Sequence, residues 1–145
     1  MPGATVRVLV GEAFGAASPV PAKGQVLYLD IELGAGACLE LPVLAEQVGI
    51  YTVDAEVQVD GRPLPARSMV VLEAGQGTTL QAAAPVRLVV VGGDTLDVPR
   101  HLWWNFVSSR KERLAEAAAD WAAQAMGAVP GDGEFIPLPD RPLPR

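Results

Sequence analysis

The chain has 145 residues, is 50% hydrophobic, and carries a formal net charge of -6 with a single His and a single Cys; it is long enough for one domain with a core of its own. No apolar run approaches the roughly 18 residues that a membrane-crossing helix needs, and the opening MPGATVRVLVGEAFG lacks the basic-then-apolar order of a secretory signal, so the cytoplasm is the expected location. Lys and Arg cluster only in SSRKER, Ser108 to Arg113, which speaks against a surface that tracks a phosphate backbone and hence against direct nucleic-acid binding.

From the amino end, residues 5–93 read as seven or eight short strands separated by turn residues. TVRVLVGEA (Thr5 to Ala13) alternates, with Val6, Val8 and Val10 on one face and Arg7 on the other. After the loop GAASPVPAKG, Leu27, Leu29, Ile31 and Leu33 fall in phase within QVLYLDIELG. CLELPVL follows, and then Val57 and Val59 alternate with Glu56 and Gln58 before Asp60-Gly61, a dipeptide suited to the positive φ values of a tight hairpin turn. SMVVLEAG, TTLQAAA and VRLVVVGG complete the set. So many short strands at this spacing predict a mainly β fold, a sandwich or barrel, rather than alternating α/β units.

Character changes after Gly93. The spacing predicts one helix over about 109–126, with Ser109 as N-cap, Glu112 closing a capping box and Gly127 at the left-handed position past the end. Leu114, Ala118, Trp121 and Ala125 form its narrow, alanine-rich apolar stripe, suited to close docking on a sheet face. Residues 128–145 are too rich in proline for a helix; EFIPLP, with Phe135, reads as an extended arm laid across a surface, and the last residues read as loose.

Candidate chemistry is sparse. RHLWWNFVSS holds His101, Trp103, Trp104, Asn105 and Phe106, which could form a ligand pocket, half of a catalytic pair, or packing where the chain leaves the sheet. A site rich in imidazole cannot be built from one His, and no GxSxG elbow, Walker loop or GxGxxG is present. Packing is therefore the preferred reading, with Asn105 and His101 hydrogen-bonding backbone in the turn. The carboxylate pairs Asp30/Glu32, Asp54/Glu56 and Asp132/Glu134 are read as solvated, and Cys38 as a small buried residue rather than a nucleophile.

VRVLVGEAFGAASPV, LYLDIELGAGACLELPV, RHLWWNFVSSRKERLAEAAADWA and VPGDGEFIPLP occur in that order between about Thr5 and Pro139, and together they resemble the C-terminal half of the pirin family. WWNFVSS with the following helix and GDGEFIPLP is the specific part. The resemblance implies a cupin-type β-sandwich with one C-terminal helix and a Pro-rich arm, 1–145 forming a single domain. Pirins are bicupins whose iron sits in the N-terminal cupin on three His and one Glu, some bacterial members acting as quercetin 2,3-dioxygenases; that N-terminal, metal-binding cupin is expected to be absent from this chain. An approximate alignment of the two halves places Leu41, Val43, Leu80 and Ala82 at the positions of the metal ligands, so no metal or other cofactor is expected here. His101, Trp103, Trp104, Asn105, Phe106, Ser109, Glu112, Trp121 and Phe135 become signature and structural residues. The functional expectation is a metal-free structural and interaction module that packs on an N-terminal pirin cupin or associates with itself. The alternatives are a part of a quercetin 2,3-dioxygenase-like enzyme and a small-molecule-binding β-barrel without catalysis.

Overall fold

The computed structural model describes residues 3–22 and 24–142, so the expected looseness of the final three residues lies outside what is described. The chain divides into two compact units, residues 1–95 and 96–145.

The first unit is all β: β1 (Ala4–Val10), β2 (Glu12–Ala13), β3 (Ala16–Ala17), β4 (Val26–Leu33), β5 (Cys38–Leu41), β6 (Gln47–Thr52), β7 (Val57–Val59), β8 (Arg62–Leu64), β9 (Met69–Val71), β10 (Thr78–Gln81) and β11 (Val86–Gly93). A five-stranded sheet runs β1-β4-β11-β6-β9 and a four-stranded sheet β5-β10-β7-β8, while β2 and β3 form a small hairpin of their own. All pairings are antiparallel. The alternation explains the arrangement: Leu27, Leu29, Ile31 and Leu33 of β4, Leu88 and Val90 of β11, Val48 and Ile50 of β6, Leu39 and Leu41 of β5, Leu80 of β10 and Val57 and Val59 of β7 join one buried cluster between the sheets. The fold is thus the mainly β sandwich that the strand pattern predicts, of the cupin type that the resemblance implies.

Turn chemistry is equally direct at one point. Asp60 and Gly61 carry φ values of 49° and 75° and join β7 to β8, as a two-residue hairpin turn demands. Asp60 also receives hydrogen bonds on its carboxylate from the Thr78 hydroxyl (2.7 Å) and the Thr79 N–H (2.8 Å). Those two donors, Thr79 first, hold its pKa below the ordinary carboxylate value.

In the second unit a hairpin, β12 (His101–Trp103) and β13 (Phe106–Ser108), precedes α1 (Lys111–Ala122). Three sequence expectations fail here. Ser109 is not the N-cap: the cap residue is Arg110, extended at φ -120°, without a side-chain capping bond. It is Ser108 whose Oγ accepts the Arg110 N–H, at 3.1 Å. Glu112 therefore closes no capping box and acts only as an acidic residue in the first turn, where the helix dipole favours it. At the other end the helix stops near Ala123, not at 126. Gln124 takes the left-handed conformation (φ 53°), its N–H reaching the Trp121 carbonyl while the Ala125 N–H reaches that of Asp120, the two bonds of a Schellman motif. Gly127, at φ 94°, belongs to the loop beyond.

Candidate functional site

Two regions could carry function: the sandwich interior, where a cupin would hold a metal, and the aromatic cluster around His101.

In the interior, β5 and β10 pair so that Leu41 faces Thr78 and Leu39 faces Leu80. Leu41, Leu80 and Ala82 are buried in the apolar cluster. Val43 is not with them; it lies beyond the end of β5 and is 56% exposed, because Pro42 follows the last paired residue. Among the described residues no three His, Cys, Asp or Glu side chains gather closely enough to hold a metal ion. Thr52, in phase with Val48 and Ile50 on β6, is fully buried, and its hydroxyl donates to the Pro65 carbonyl at 2.5 Å. A cavity of about 530 Å³ lies at the rim of this unit, lined by Gly11, Ser18, Gln25, Leu27, Leu44 and Ala45. The Ser18 hydroxyl there is already donated to the Leu9 carbonyl.

The outer face of the five-stranded sheet is less ordinary. Register places Tyr28, Val91, Gly49 and Val71 in one row across β4, β11, β6 and β9, and Asp30, Val89, Tyr51 and Met69 in the next. Tyr28, Val91, Met69 and Val71 are all exposed. At the β1–β4 side of these rows Asp30 is only 4% exposed. Arg87 reaches it through Nε at 2.8 Å and Nη2 at 3.2 Å, Arg7 through Nη1 at 3.0 Å, and Arg7 also holds Glu32 at 2.7 Å. The Arg87 hydrogen bond, then that of Arg7, keeps the Asp30 carboxyl below its ordinary range against the opposing effect of burial. The expectation of a solvated Asp30/Glu32 pair is corrected for Asp30. Cys38 is corrected in the opposite sense: with Leu39 and Leu41 turned inward, it falls on the outward phase of β5 and is exposed.

Around His101 the sequence reading holds in substance and shifts in detail. Trp103 is buried with Leu114 and Ala118, and Trp104, Phe106 and Leu138 pack against them. Trp104 sits edge-on to Phe106 (5.5 Å) and Trp121 (5.2 Å), and Phe135 stacks on Trp121 at 5.8 Å. The stretch is not a bare joint between strand and helix, however. Trp104 and Asn105 form a two-residue hairpin turn, with Trp104 at φ 50°. Asn105 is exposed, and among the described residues neither its side chain nor that of His101 finds a hydrogen-bond partner, contrary to the backbone bonds expected of them. The arm is held instead by indoles: Trp121 Nε1–H donates to the Ile136 carbonyl (2.8 Å) and Trp103 Nε1–H to that of Pro142 (3.1 Å).

Comparison with known proteins shows the family that the sequence resembles. The pirin C-terminal cupin domain profile matches residues 28–127. A pirin-like protein of Caulobacter vibrioides is 39% identical over 139 residues, covering 95% of this chain and 48% of that protein. Pirin of Rattus norvegicus is 30% identical over 126 residues, covering 82% and 43%. A crystal structure of quercetin 2,3-dioxygenase from Acinetobacter baumannii superposes with a TM-score of 0.87 at 28% identity, covering 98% of this chain and 49% of that one. The chain spans about half the length of the curated relatives it matches. With the profile, the aromatic hairpin and the sandwich in agreement, the chain belongs to the pirin family, whose C-terminal cupin domain it carries.

Proposed function

We propose that this chain is a metal-free cupin that serves a pirin-like protein as a structural and interaction module. Its partner is the iron-binding N-terminal cupin that the resemblance implies or, without it, a second copy of the chain. The observation that carries the reading is the interior. Leu41, Leu80 and Ala82 close it with side chains that have no lone pair to give, and Val43 stands outside. These residues do not fit iron. Support for the interaction role comes from the exposed apolar rows of the large sheet, a patch of the kind that marks association surfaces. With a net charge of -6, a protein partner is favoured over nucleic acid. No helix among the described residues is long and apolar enough to cross a membrane; we place the chain in the cytoplasm.

Iron analysis after anaerobic incubation with Fe(II) tests the first half: less than a tenth of an equivalent is expected, and stoichiometric iron overturns it. Size-exclusion chromatography with light scattering tests the second, where association is expected. A clean monomer that also ignores the part of the Caulobacter vibrioides protein outside the match overturns it. A second reading, part of a quercetin 2,3-dioxygenase-like enzyme, is favoured by the similarity to the Acinetobacter baumannii structure of that name. Oxygen uptake with quercetin separates them: none is expected from this chain alone.

A further inference from the structure

Asp60 and Asp132 are the two aspartates followed directly by glycine. In such a pair no Cβ on the second residue keeps its nitrogen away from the Asp side chain, so that nitrogen can attack the carboxyl carbon. The fold treats the two pairs in opposite ways.

Asp60-Gly61 is clamped. The Thr78 hydroxyl and the Thr79 N–H hold both carboxylate oxygens, at 2.7 and 2.8 Å, and the Asp60 N–H donates to the Thr79 carbonyl at 2.9 Å. Tied to β10 in this way, the side chain cannot swing onto the Gly61 nitrogen unless those bonds break. The same donors keep the carboxyl ionised to lower pH, and an ionised carboxyl has no hydroxyl to lose.

Asp132-Gly133 is open. Both residues are exposed, and among the described residues only one carboxylate oxygen of Asp132 is engaged, by the Glu134 N–H at 2.9 Å. That bond makes a local turn which folds the side chain over the Gly133 peptide. A Cβ built on Gly133 would meet nothing within 4 Å, so no neighbouring atom hinders the approach.

We propose that Asp132 is a modification site, at which the folded chain converts aspartate to isoaspartate while Asp60 is protected. The Gly133 nitrogen bonds to the Asp132 Cγ, its proton and the carboxyl hydroxyl leave as water, and a five-membered imide closes. Water then adds to either imide carbonyl. Opening at the side-chain carbonyl restores aspartate. Opening at the main-chain carbonyl leaves the backbone running through Cβ and Cγ, with a free α-carboxylate at residue 132. No oxidant or cofactor enters, and the water lost is regained. The backbone is then one carbon longer, shortly before Phe135, whose ring stacks on Trp121 at 5.8 Å, and Ile136, whose carbonyl accepts the Trp121 indole N–H at 2.8 Å. Isoaspartate at 132 thereby loosens the arm at its first anchor.

Ageing the full chain in mildly acidic buffer, digesting it, and mapping isoaspartate with an isoaspartate-specific carboxyl methyltransferase tests this. Isoaspartate is expected at 132 about tenfold or more above 60, since Asp60 must first give up hydrogen bonds to a charged group. Ageing in urea, where the clamp is gone, should bring the two sites to similar levels. Gly133→Ala, which has room for its methyl group, should cut the signal at 132 and leave the circular dichroism of the fold unchanged. Ion exchange of the aged chain should yield an isoaspartyl fraction whose arm is cut sooner by protease than that of the parent. No isoaspartate at 132, or equal levels at 60 and 132 in the folded chain, overturns the proposal. So does an excess at 132 that persists in urea, which would place the difference in the flanking sequence and not in the fold. An arm cut equally fast in both fractions overturns the loosening and leaves the modification site standing.

Discussion

Asp30 and Asp132 look alike in sequence, each two residues away from a second acid, yet one is buried under two guanidinium groups and the other lies in an exposed loop. The difference comes from Arg7 and Arg87, 23 and 57 residues away from Asp30, brought alongside by the β1-β4-β11 register. No local pattern carries such partners, which is why this cluster was not legible. Because the folded-state pKa of Asp30 is lowered, its contribution to stability is present above the unfolded carboxylate value of about 4 and is lost as pH falls through the folded one. Thermal unfolding at a series of pH values should therefore find Asp30→Asn less stable than the parent at neutral pH, the gap closing below about pH 4; a gap constant with pH would mean lost packing rather than lost charge. The aromatic residues are legible as packing, but which tryptophan is central is not. Trp103 is 5% exposed and Trp104 only half-buried at the turn. Trp103→Ala should destabilise the second unit by about 3–5 kcal/mol, whereas His101→Ala should stay within about 0.5 kcal/mol. Hydrogen exchange of the α1 amides reads both, and equal losses would remove the packing account.

The ends of elements divide into those whose signal is a residue type and those whose signal is a bond. Asp60-Gly61 could be read because both residues tolerate positive φ and the flanking strands alternate. The turn at Trp104-Asn105 could not, since a tryptophan at φ 50° announces nothing; it is tolerated because its ring lies against Trp121 and Phe106. Likewise Ser109 and Gly127 have the right chemistry for caps, and neither is where the helix ends. The chain leaves the hairpin at Ser108, whose hydroxyl takes the Arg110 N–H first, and the carboxy end closes on Gln124. An exposed non-glycine residue held in the left-handed region is a removable strain. Gln124→Gly should raise the stability of the second unit by about 0.5–1 kcal/mol, read by the same α1 amide exchange, while Gly127→Ala, outside the cap, should leave the α1 amides unchanged. If the Gly127 change proves the more damaging to the helix, the Schellman closure at Gln124 is wrong.

At the scale of the whole molecule, the sandwich follows from alternation alone, because Leu27, Leu29, Ile31 and Leu33 and their cross-strand neighbours have only one face on which to meet. The division into two units was not visible as such. A helix with an alanine-rich stripe reads as something that docks on a sheet, and only the structure reveals that Leu114 and Ala118 already have Trp103 to cover them. The two cores differ greatly in size. The first contains nineteen buried side chains; the second contains three, with Trp104, Phe106 and Leu138 partly covering them. A core that small supplies little stability by itself, so the second unit should open at lower denaturant than the sandwich. The sequence provides a convenient reporter, since all three tryptophans, Trp103, Trp104 and Trp121, lie after residue 95. Urea unfolding followed by tryptophan fluorescence should thus reach its midpoint before unfolding followed by the far-ultraviolet signal of the strands, and the slope of the fluorescence transition should be the shallower, as less surface is exposed. Removing the ring at Phe135 with Phe135→Ala should move the fluorescence midpoint further down and leave the strand transition in place. Coincident curves that move together would instead make the chain one cooperative body.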